Sequence, residues 1–334
     1  MNLPPIFIER TKAILKEEYP AFENALQQLA PTSIRINDKM DYMPSAEKVA
    51  WCDKGYYLNE RPLFTADPLF HAGVYYVQEA SSMFLSQVVE QHFPDADTVL
   101  DLCAAPGGKS TLLSQYLHRN CLLVSNEIVR NRAYILAENL AKWGNQNTLV
   151  TNNDPADFSA LNNFFDAVVV DAPCSGEGMF RKDPGAIDEW SLSNVELCAE
   201  RQKKILTDVW DALKPEGILV YSTCTYNREE NEDNVAWMCR ELDAELLKVD
   251  LHGNENIVES DFGYRFFPHR TKGEGFFIAV VRKNGSSVRS KQIKAELKKG
   301  IKFVKQNDMQ FQLTSPEHYT YINDNNFIRA YQTD

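Results

Sequence analysis

What the sequence lacks narrows the field first. No apolar run approaches the roughly 18 to 20 residues that a membrane-spanning helix needs. The opening stretch, MNLPPIFIERTKAILKEE, has no charged-then-apolar leader with a small-residue cleavage site. A cytoplasmic protein with no membrane partner is the expectation. Seven cysteines (52, 103, 121, 174, 198, 224 and 239) form no CxxC pair, and their odd number argues against a disulfide framework. Six scattered histidines show no zinc-ligand spacing, so no metal is expected. Positive charge is in deficit. Thirty-five Lys and Arg against 47 Asp and Glu give a net charge of -12, which excludes a chain-wide basic footprint for nucleic acid and leaves room only for a local patch.

What is present is the composition of an ordinary folded protein. With 44% hydrophobic and 25% charged residues over 334 positions, disordered and fibrous classes are out, and the length suggests about two domains. Residues 5 to 30 carry apolar side chains at helical spacing, with Pro20 expected to break or kink the helix. SIRIN (33 to 37) and GYYL (55 to 58) read as short strands, and residues 1 to 75 as a small N-terminal α/β module. From residue 98 the pattern becomes strand, turn, helix, repeated. TVLDLC, LLVSNEI, NTLVTN, FDAVVVDAP, GILVYSTCT and GFFIAVVRK supply the strands. A long helix is expected from Asn194 to Leu213, ending at KPEG. Nearly continuous apolar strands alternating with helices predict an α/β fold with a doubly wound, parallel-rich sheet over residues 76 to 284. Such sheets bind ligands at the carboxyl ends of their strands. Arg282, Lys283, Arg289, Lys291, Lys294, Lys298, Lys299, Lys302 and Lys305 then face the single acid Glu296. That stretch reads as a solvated linker or as a stripe of phosphate contacts. Residues 285 to 334 look like this basic linker followed by the start of a further domain.

The loop DLCAAPGGKS (101 to 110) joins the first strand of the sheet to its helix. Gly107 and Gly108 let the backbone approach a ligand, and helix N-terminal amides favour an electron-rich group. The loop is neither GxGxxG nor a Walker A motif, which disfavours nicotinamide and flavin cofactors. Glu127 ends the second strand, 20 positions after Gly107, where a carboxylate in this topology grips ribose hydroxyls. Asp154 follows the third strand, in position for an adenine edge. Each acid alone reads equally as a helix cap. Together at successive strand ends they point to a nucleoside cofactor.

DAPCSG places Asp171 and Cys174 past the fourth strand, and STCTYN places Cys224 at the end of the fifth. Neighbouring strand ends lie about 5 Å apart per interstrand spacing, so both thiols should face one crevice. Two inert core cysteines or a redox pair are the alternatives, the second weakened by the missing CxxC. Strand-end loops are exposed places where functional groups concentrate, which favours a functional pair over two inert thiols.

DLCAAPGGKS, NEIVRNRA, DAPCSGEGMFRKDP, YSTCTYNREENE and PHRTKGEGFF resemble, in order and spacing, the Sun/Nop family of S-adenosylmethionine-dependent RNA cytosine-5 methyltransferases. The resemblance covers about residues 1 to 283, and its leading part looks like that family's N-terminal (RRM-like) RNA-binding module. It implies S-adenosyl-L-methionine lying along Cys103, Ala104, Ala105, Pro106, Gly107, Gly108 and Lys109. Glu127 would hold the ribose, Asp154 would lie near the adenine, Asp171 near the methyl end, and Arg132 would pair with these acids. It implies further that Cys224 is the nucleophile, that Cys174 assists product release, that Asp171 hydrogen-bonds the cytosine, and that Lys109 organises Asp171. The partner it implies is RNA, ribosomal RNA or an assembling small subunit before transfer RNA, bound by a monomer. Trp143, Trp190 and Phe180 read first as core and second as base-stacking residues.

Three rivals remain at this level. A non-catalytic RNA-binding or ribosome-assembly factor would not need both cysteines. A DNA methyltransferase, whose nucleophile sits where Pro173-Cys174 does, usually carries a separate target-recognition region. Amino-group methyltransferases want an NPPY-type fourth strand, and DAPC is not that.

Overall fold

The structure, a computed structural model, describes residues 1–285, 302–303, 319–324 and 327–332. Contacts group the chain into two units, Met1–Ser286 and Ser287–Asp334. In the second, strands Lys302–Phe303, Tyr319–Asp324 and Phe327–Gln332 form an antiparallel sheet. Among the described residues, no helix is long and apolar enough to cross a membrane.

The first unit opens with α1 (Pro5–Leu15) and α2 (Tyr19–Leu26). The break lies before Pro20, at a 3-10 turn that starts with Lys16 at φ 51°. Pro20 itself is in the first turn of α2, where a missing backbone donor costs nothing. Strands β1 (Thr32–Ile36), β2 (Glu47–Lys48) and β3 (Gly55–Leu58), the short helix α3 (Pro68–His71) and β4 (Tyr75–Val77) follow. The sheet order is β2-β3-β1-β4, all antiparallel. The boundary expected at residue 75 thus falls on the first residue of a strand that belongs to the N-terminal sheet.

The large sheet is built from β5 (Thr98–Asp101), β6 (Leu122–Asn126), β7 (Thr148–Thr151), β8 (Phe165–Asp171), β9 (Leu213–Thr223), β10 (Ala244–Leu247), β11 (Val258–Ser260), β12 (Gly263–Phe266) and β13 (Phe276–Lys283). Its order is β11-β12-β13-β9-β8-β5-β6-β7, with β10 on β13. The strands from β5 to β9 pair in parallel, and β13 returns antiparallel to β9. Because side chains alternate along a strand, each apolar run feeds two cores. Val99, Val169 and Val220 pack under α4 (Leu85–His92) and α5 (Gly108–Tyr116). Leu100, Val168, Val170, Leu219 and Tyr221 pack under α8 (Leu192–Trp210) and α9 (Glu232–Glu241). Helices α6 (Arg130–Trp143) and α7 (Pro184–Glu189) complete the unit. Trp143, Trp190 and Phe180 are core residues.

KPEG does not separate helix from strand as expected. Helix α8 ends at Trp210, and β9 already begins at Leu213, opposite Phe165. Ile218 then faces Ala167, so Lys214 to Gly217 bulge out of a continuous strand, with Glu216 at φ 61°. The backbone pairing at Leu213 outweighs the local turn signal.

The N-terminal segment is joined to the body by one unusual group. Arg35, fully buried on β1, donates from Nε to Gln78 (2.8 Å), from Nη2 to Thr111 Oγ1 (2.6 Å) and the Gly108 carbonyl (3.5 Å), and from Nη1 to Gln115. Its guanidinium lies 4.5 Å from the Trp143 ring centre. All these partners are neutral, and burial lowers the Arg35 pKa to about 10. Arg35→Ala would strand four acceptors, two of them on the buried residues Gln78 and Thr111, and is expected to cost ~3 kcal/mol, read by urea unfolding. A loss below ~1 kcal/mol would mean that desolvating the charge cancels its bonds.

Candidate active site

The order of the large sheet reverses between β5 and β8, since the chain winds from β5 outward to β7 and then returns to β8. Crevices at such a reversal, outside the carboxyl ends of the strands, are where open α/β sheets hold ligands. A cavity of about 190 Å³ lies there. Cys103, Ala104, Ala105, Pro106, Gly108 and Lys109 line it from the loop after β5, and Asp171 from the end of β8. The opposite wall is Tyr76, Val77, Gln78, Glu79 and Ser82, from β4 and the turn after it. Sequence reasoning missed this wall. Its only signal was the polar run QEASS in a segment otherwise rich in aromatics.

Gly107 turns the chain into α5 at φ 115°, a left-handed conformation that a side chain would strain, and an added Cβ would sit 3.3 Å from Leu136 Cδ1. Asp101, buried at the end of β5, accepts from Ser110 Oγ (2.6 Å) with one oxygen, while its other oxygen has no partner. Burial raises its pKa to about 7. Burial likewise drives the Cys103 thiol far above the ordinary thiol range, and Cys103 packs against the core under α8 while lining the crevice. Glu127, 3% exposed just past β6, accepts from the Val129 amide (2.9 Å) and lies 3.5 Å from Arg132. Arg132 in turn donates to the Ala105 carbonyl (2.8 Å), which ties Glu127 to the glycine loop. Asp154 stands apart from this group. Its carboxylate caps the 3-10 turn Pro155–Ala160, accepting from the Ala156 amide at 3.0 Å.

Across the crevice, Lys109 Nζ and Asp171 Oδ2 form an ion pair at 2.8 Å. Burial alone would depress the Lys109 ammonium, but the Asp171 carboxylate beside it keeps it above the usual lysine range. The second Asp171 oxygen accepts from Ser222 Oγ at 2.8 Å, so strand β9 fixes the carboxylate from the far side.

The two cysteines meet. Asp171 and Ser222 are register partners on adjacent parallel strands, and the residues that follow diverge only slightly. Cys174 Sγ lies 3.1 Å from Cys224 Sγ and accepts from the Cys224 amide at 3.4 Å. The bond to Cys224, then burial, hold the Cys174 thiol well above its ordinary value.

Comparison with known proteins now decides the family. The family described as 16S rRNA methyltransferase RsmB/F matches residues 90–282, more than half of the chain. This chain belongs to that family. The description N-terminal domain of 16S rRNA methyltransferase RsmF matches residues 3–80 of this RsmB/F member. Ribosomal RNA small subunit methyltransferase F of Pectobacterium atrosepticum is 34% identical over 307 residues, covering 85% of this chain and 63% of the relative. Its counterpart in Vibrio cholerae is 36% identical over 310 residues, covering 86% of this chain and 65% of the relative. The chain thus spans slightly less than two thirds of these relatives. Among solved structures, a methyltransferase homologue from Pyrococcus horikoshii superposes with a TM-score of 0.70 at 28% identity, covering 83% of this chain and 94% of that one. NSun6 from the same organism, solved with SFG, has the same fold, with a TM-score of 0.73 at 21% identity over 85% of this chain and 99% of that one.

Of the basic stretch, this RsmB/F member commits its first two cations internally. Arg282 pairs with Glu245 and lies 3.5 Å from Glu216, and Lys283 donates to the carbonyls of Trp210 (2.8 Å) and Leu213 (2.9 Å). Arg289, Lys291, Lys294, Lys298, Lys299 and Lys305, with the side chain of Lys302, lie outside the described residues. No group of three or more metal-ligating side chains occurs among the described residues.

Proposed function

We propose that this chain transfers a methyl group from S-adenosylmethionine to carbon 5 of a cytosine in small-subunit ribosomal RNA. The observation that carries the reading is the pair of thiols, 3.1 Å apart, at the strand ends beside the Lys109–Asp171 ion pair. Such a pair has no use in transfer to an oxygen or nitrogen nucleophile. Carbon 5 of cytosine is too weak a nucleophile to react unaided, and addition of a thiolate to carbon 6 turns the ring into an enamine.

The residues around the crevice fit the cofactor. Glu127 is a buried acceptor for a ribose diol, Ala104 and Ala105 offer an apolar surface, and Lys109 and Asp171 supply charge at the other end. When bound, S-adenosylmethionine supplies an electrophilic methyl group on a sulfonium. Cys224 adds to carbon 6. Asp171 hydrogen-bonds the cytosine and stabilises the charge that develops at ring nitrogen 3, held for that task by Lys109 and Ser222. Release breaks two bonds: a base takes the carbon 5 proton, the electron pair left behind re-forms the 5,6 double bond, and Cys224 is expelled from carbon 6 as a thiolate, with Cys174, 3.1 Å from that sulfur, placed to assist its departure. Residues 1–75 and the positively charged chain after Arg282 are the RNA-facing parts in this reading.

Bisulfite sequencing of total RNA from cells with and without the gene tests the proposal. A single small-subunit cytosine that loses protection with the gene supports it, whereas loss confined to transfer RNA would redirect the substrate. A second test addresses the cofactor. Glu127→Ala removes a charge-assisted contact worth ~1.5–3 kcal/mol, so affinity for S-adenosylmethionine should fall about 10- to 100-fold by calorimetry without RNA. An unchanged dissociation constant would leave Glu127 as a cap for the Val129 amide only.

A further inference from the structure

The two cysteines sit on separate loops 50 positions apart. Strand pairing brings the two loops side by side, but each cysteine lies beyond the last paired residues, so the separation of the sulfurs depends on how the loops themselves are held. The structure contains a device that holds them, in two buried acids outside the sheet.

Glu177 lies on the Cys174 side, three positions beyond it. Its Oε2 accepts from Thr225 Oγ1 (2.6 Å), the Tyr226 amide (2.8 Å) and the Asn227 amide (2.9 Å), which are the three residues after Cys224. Its Oε1 accepts from Trp190 Nε1 at 3.0 Å, which fixes the carboxylate from behind. Glu230 lies on the Cys224 side and reaches the other way. Its Oε2 accepts from the Ser175 amide (2.9 Å), next to Cys174, and from Gln202 Nε2 (2.8 Å), which also donates to the Pro173 carbonyl (2.9 Å). Its Oε1 accepts from Asn227 Nδ2 at 2.7 Å. Both acids are buried, at 2% and 0% exposure, and every partner is neutral. Burial pushes the Glu230 carboxyl above its usual range, against those donors. Two buried carboxylates without a cation are expensive, and stability alone would favour a neutral replacement. A third contact draws the loops together: the Gly178 amide donates to the Cys224 carbonyl at 2.8 Å, and a Cβ at Gly178 would come within 2.8 Å of that oxygen.

We propose that Glu177 and Glu230 are the positioning residues of the two-thiol centre, a reciprocal clamp that sets the Cys174–Cys224 separation. Each acid originates on one cysteine loop and binds backbone amides of the other. Neither acid lines the crevice. Its role rests on the methyltransferase reading above, but its geometry can be measured without RNA.

Phenylarsine oxide is the probe. It condenses with two thiols, forming two arsenic–sulfur bonds and releasing one water, and it binds tightly only where both sulfurs reach the same arsenic. Wild-type protein should capture it far more tightly than Cys174→Ser, about 100-fold by the chelate advantage. Glu177→Ala and Glu230→Ala should lose most of that advantage with affinity for S-adenosylmethionine unchanged. Glu177→Gln and Glu230→Gln, which keep one acceptor oxygen, should recover part of it. In RNA methylation the alanine variants should lower kcat and leave KM for RNA in place. Should the alanine variants fail to fold, Thr225→Val removes the 2.6 Å donor to Glu177, together with the Oγ1 contacts to Ser175 (3.2 Å) and Asn227 (2.8 Å), and should still weaken arsenical capture about 10-fold. Wild-type arsenical affinity in Glu177→Ala or Thr225→Val would overturn the clamp, since a merely structural acid lowers thermal stability without separating the sulfurs. Equal capture by wild type and Cys174→Ser would overturn it too. Tight capture by a wild-type protein that methylates no RNA would instead sink the functional reading and leave the clamp standing.

Discussion

Cys224→Ala abolishes methyl transfer to RNA, by at least ~1,000-fold, while affinity for S-adenosylmethionine stays at the wild-type value. The thiolate is needed only to convert the base into a nucleophile, and the cofactor crevice is lined by residues up to Lys109, by Asp171 and by the strand β4 wall, not by Cys224. Tritium transfer from labelled S-adenosylmethionine measures the first part and calorimetry the second. Activity like the wild type would remove Cys224 from the nucleophile role. Loss of both properties would show that the substitution collapses the crevice, and the role would then have to be read from Cys224→Ser.

Cys174→Ala fails at the other end of the reaction. With the neighbouring thiol gone, nothing 3.1 Å away assists the departing Cys224 sulfur, and release of the methylated base slows. The expected product is an RNA–protein adduct that survives denaturing electrophoresis and disappears when Cys224 is also replaced. An adduct that forms through Cys174 instead would reverse the two assignments. That is the choice the residues alone leave open, because Pro173-Cys174 occupies the place of the nucleophile in DNA cytosine-5 enzymes.

The strands and the glycine loop were legible because their signals are local. A run such as FDAVVVD is apolar on both faces of a covered sheet, and Gly107 is needed by its own backbone angle. The pairing of the two cysteines was legible too, once their strands were taken as neighbours, and Asp171 and Ser222 are indeed opposite each other. What escaped was chemistry between distant segments. Glu177 and Glu230 look like surface acids of polar loops, yet they serve partners about 50 positions away. Arg35 looks like an alternating strand residue, and its partners range from Gln78 to Trp143. Asp154 is compatible with both of the roles its position allowed for, since its carboxylate caps the 3-10 turn after β7 and still stands at a strand end. KPEG failed for another reason: proline and glycine report local preference, and a strand can bulge around them when its flanks are paired.

The burial of Arg35 also has a consequence for biosynthesis. Its strand leaves the ribosome long before the segments that receive it. Gln78 emerges next, but Thr111, Gln115 and the Trp143 ring must all be synthesised before the guanidinium has its full set of partners. All four strands of the N-terminal sheet are therefore made before the last group that covers Arg35, the Trp143 ring at the end of α6. The crevice is later still, since its wall from β4 and its loop after β5 must wait for Asp171 at the end of β8.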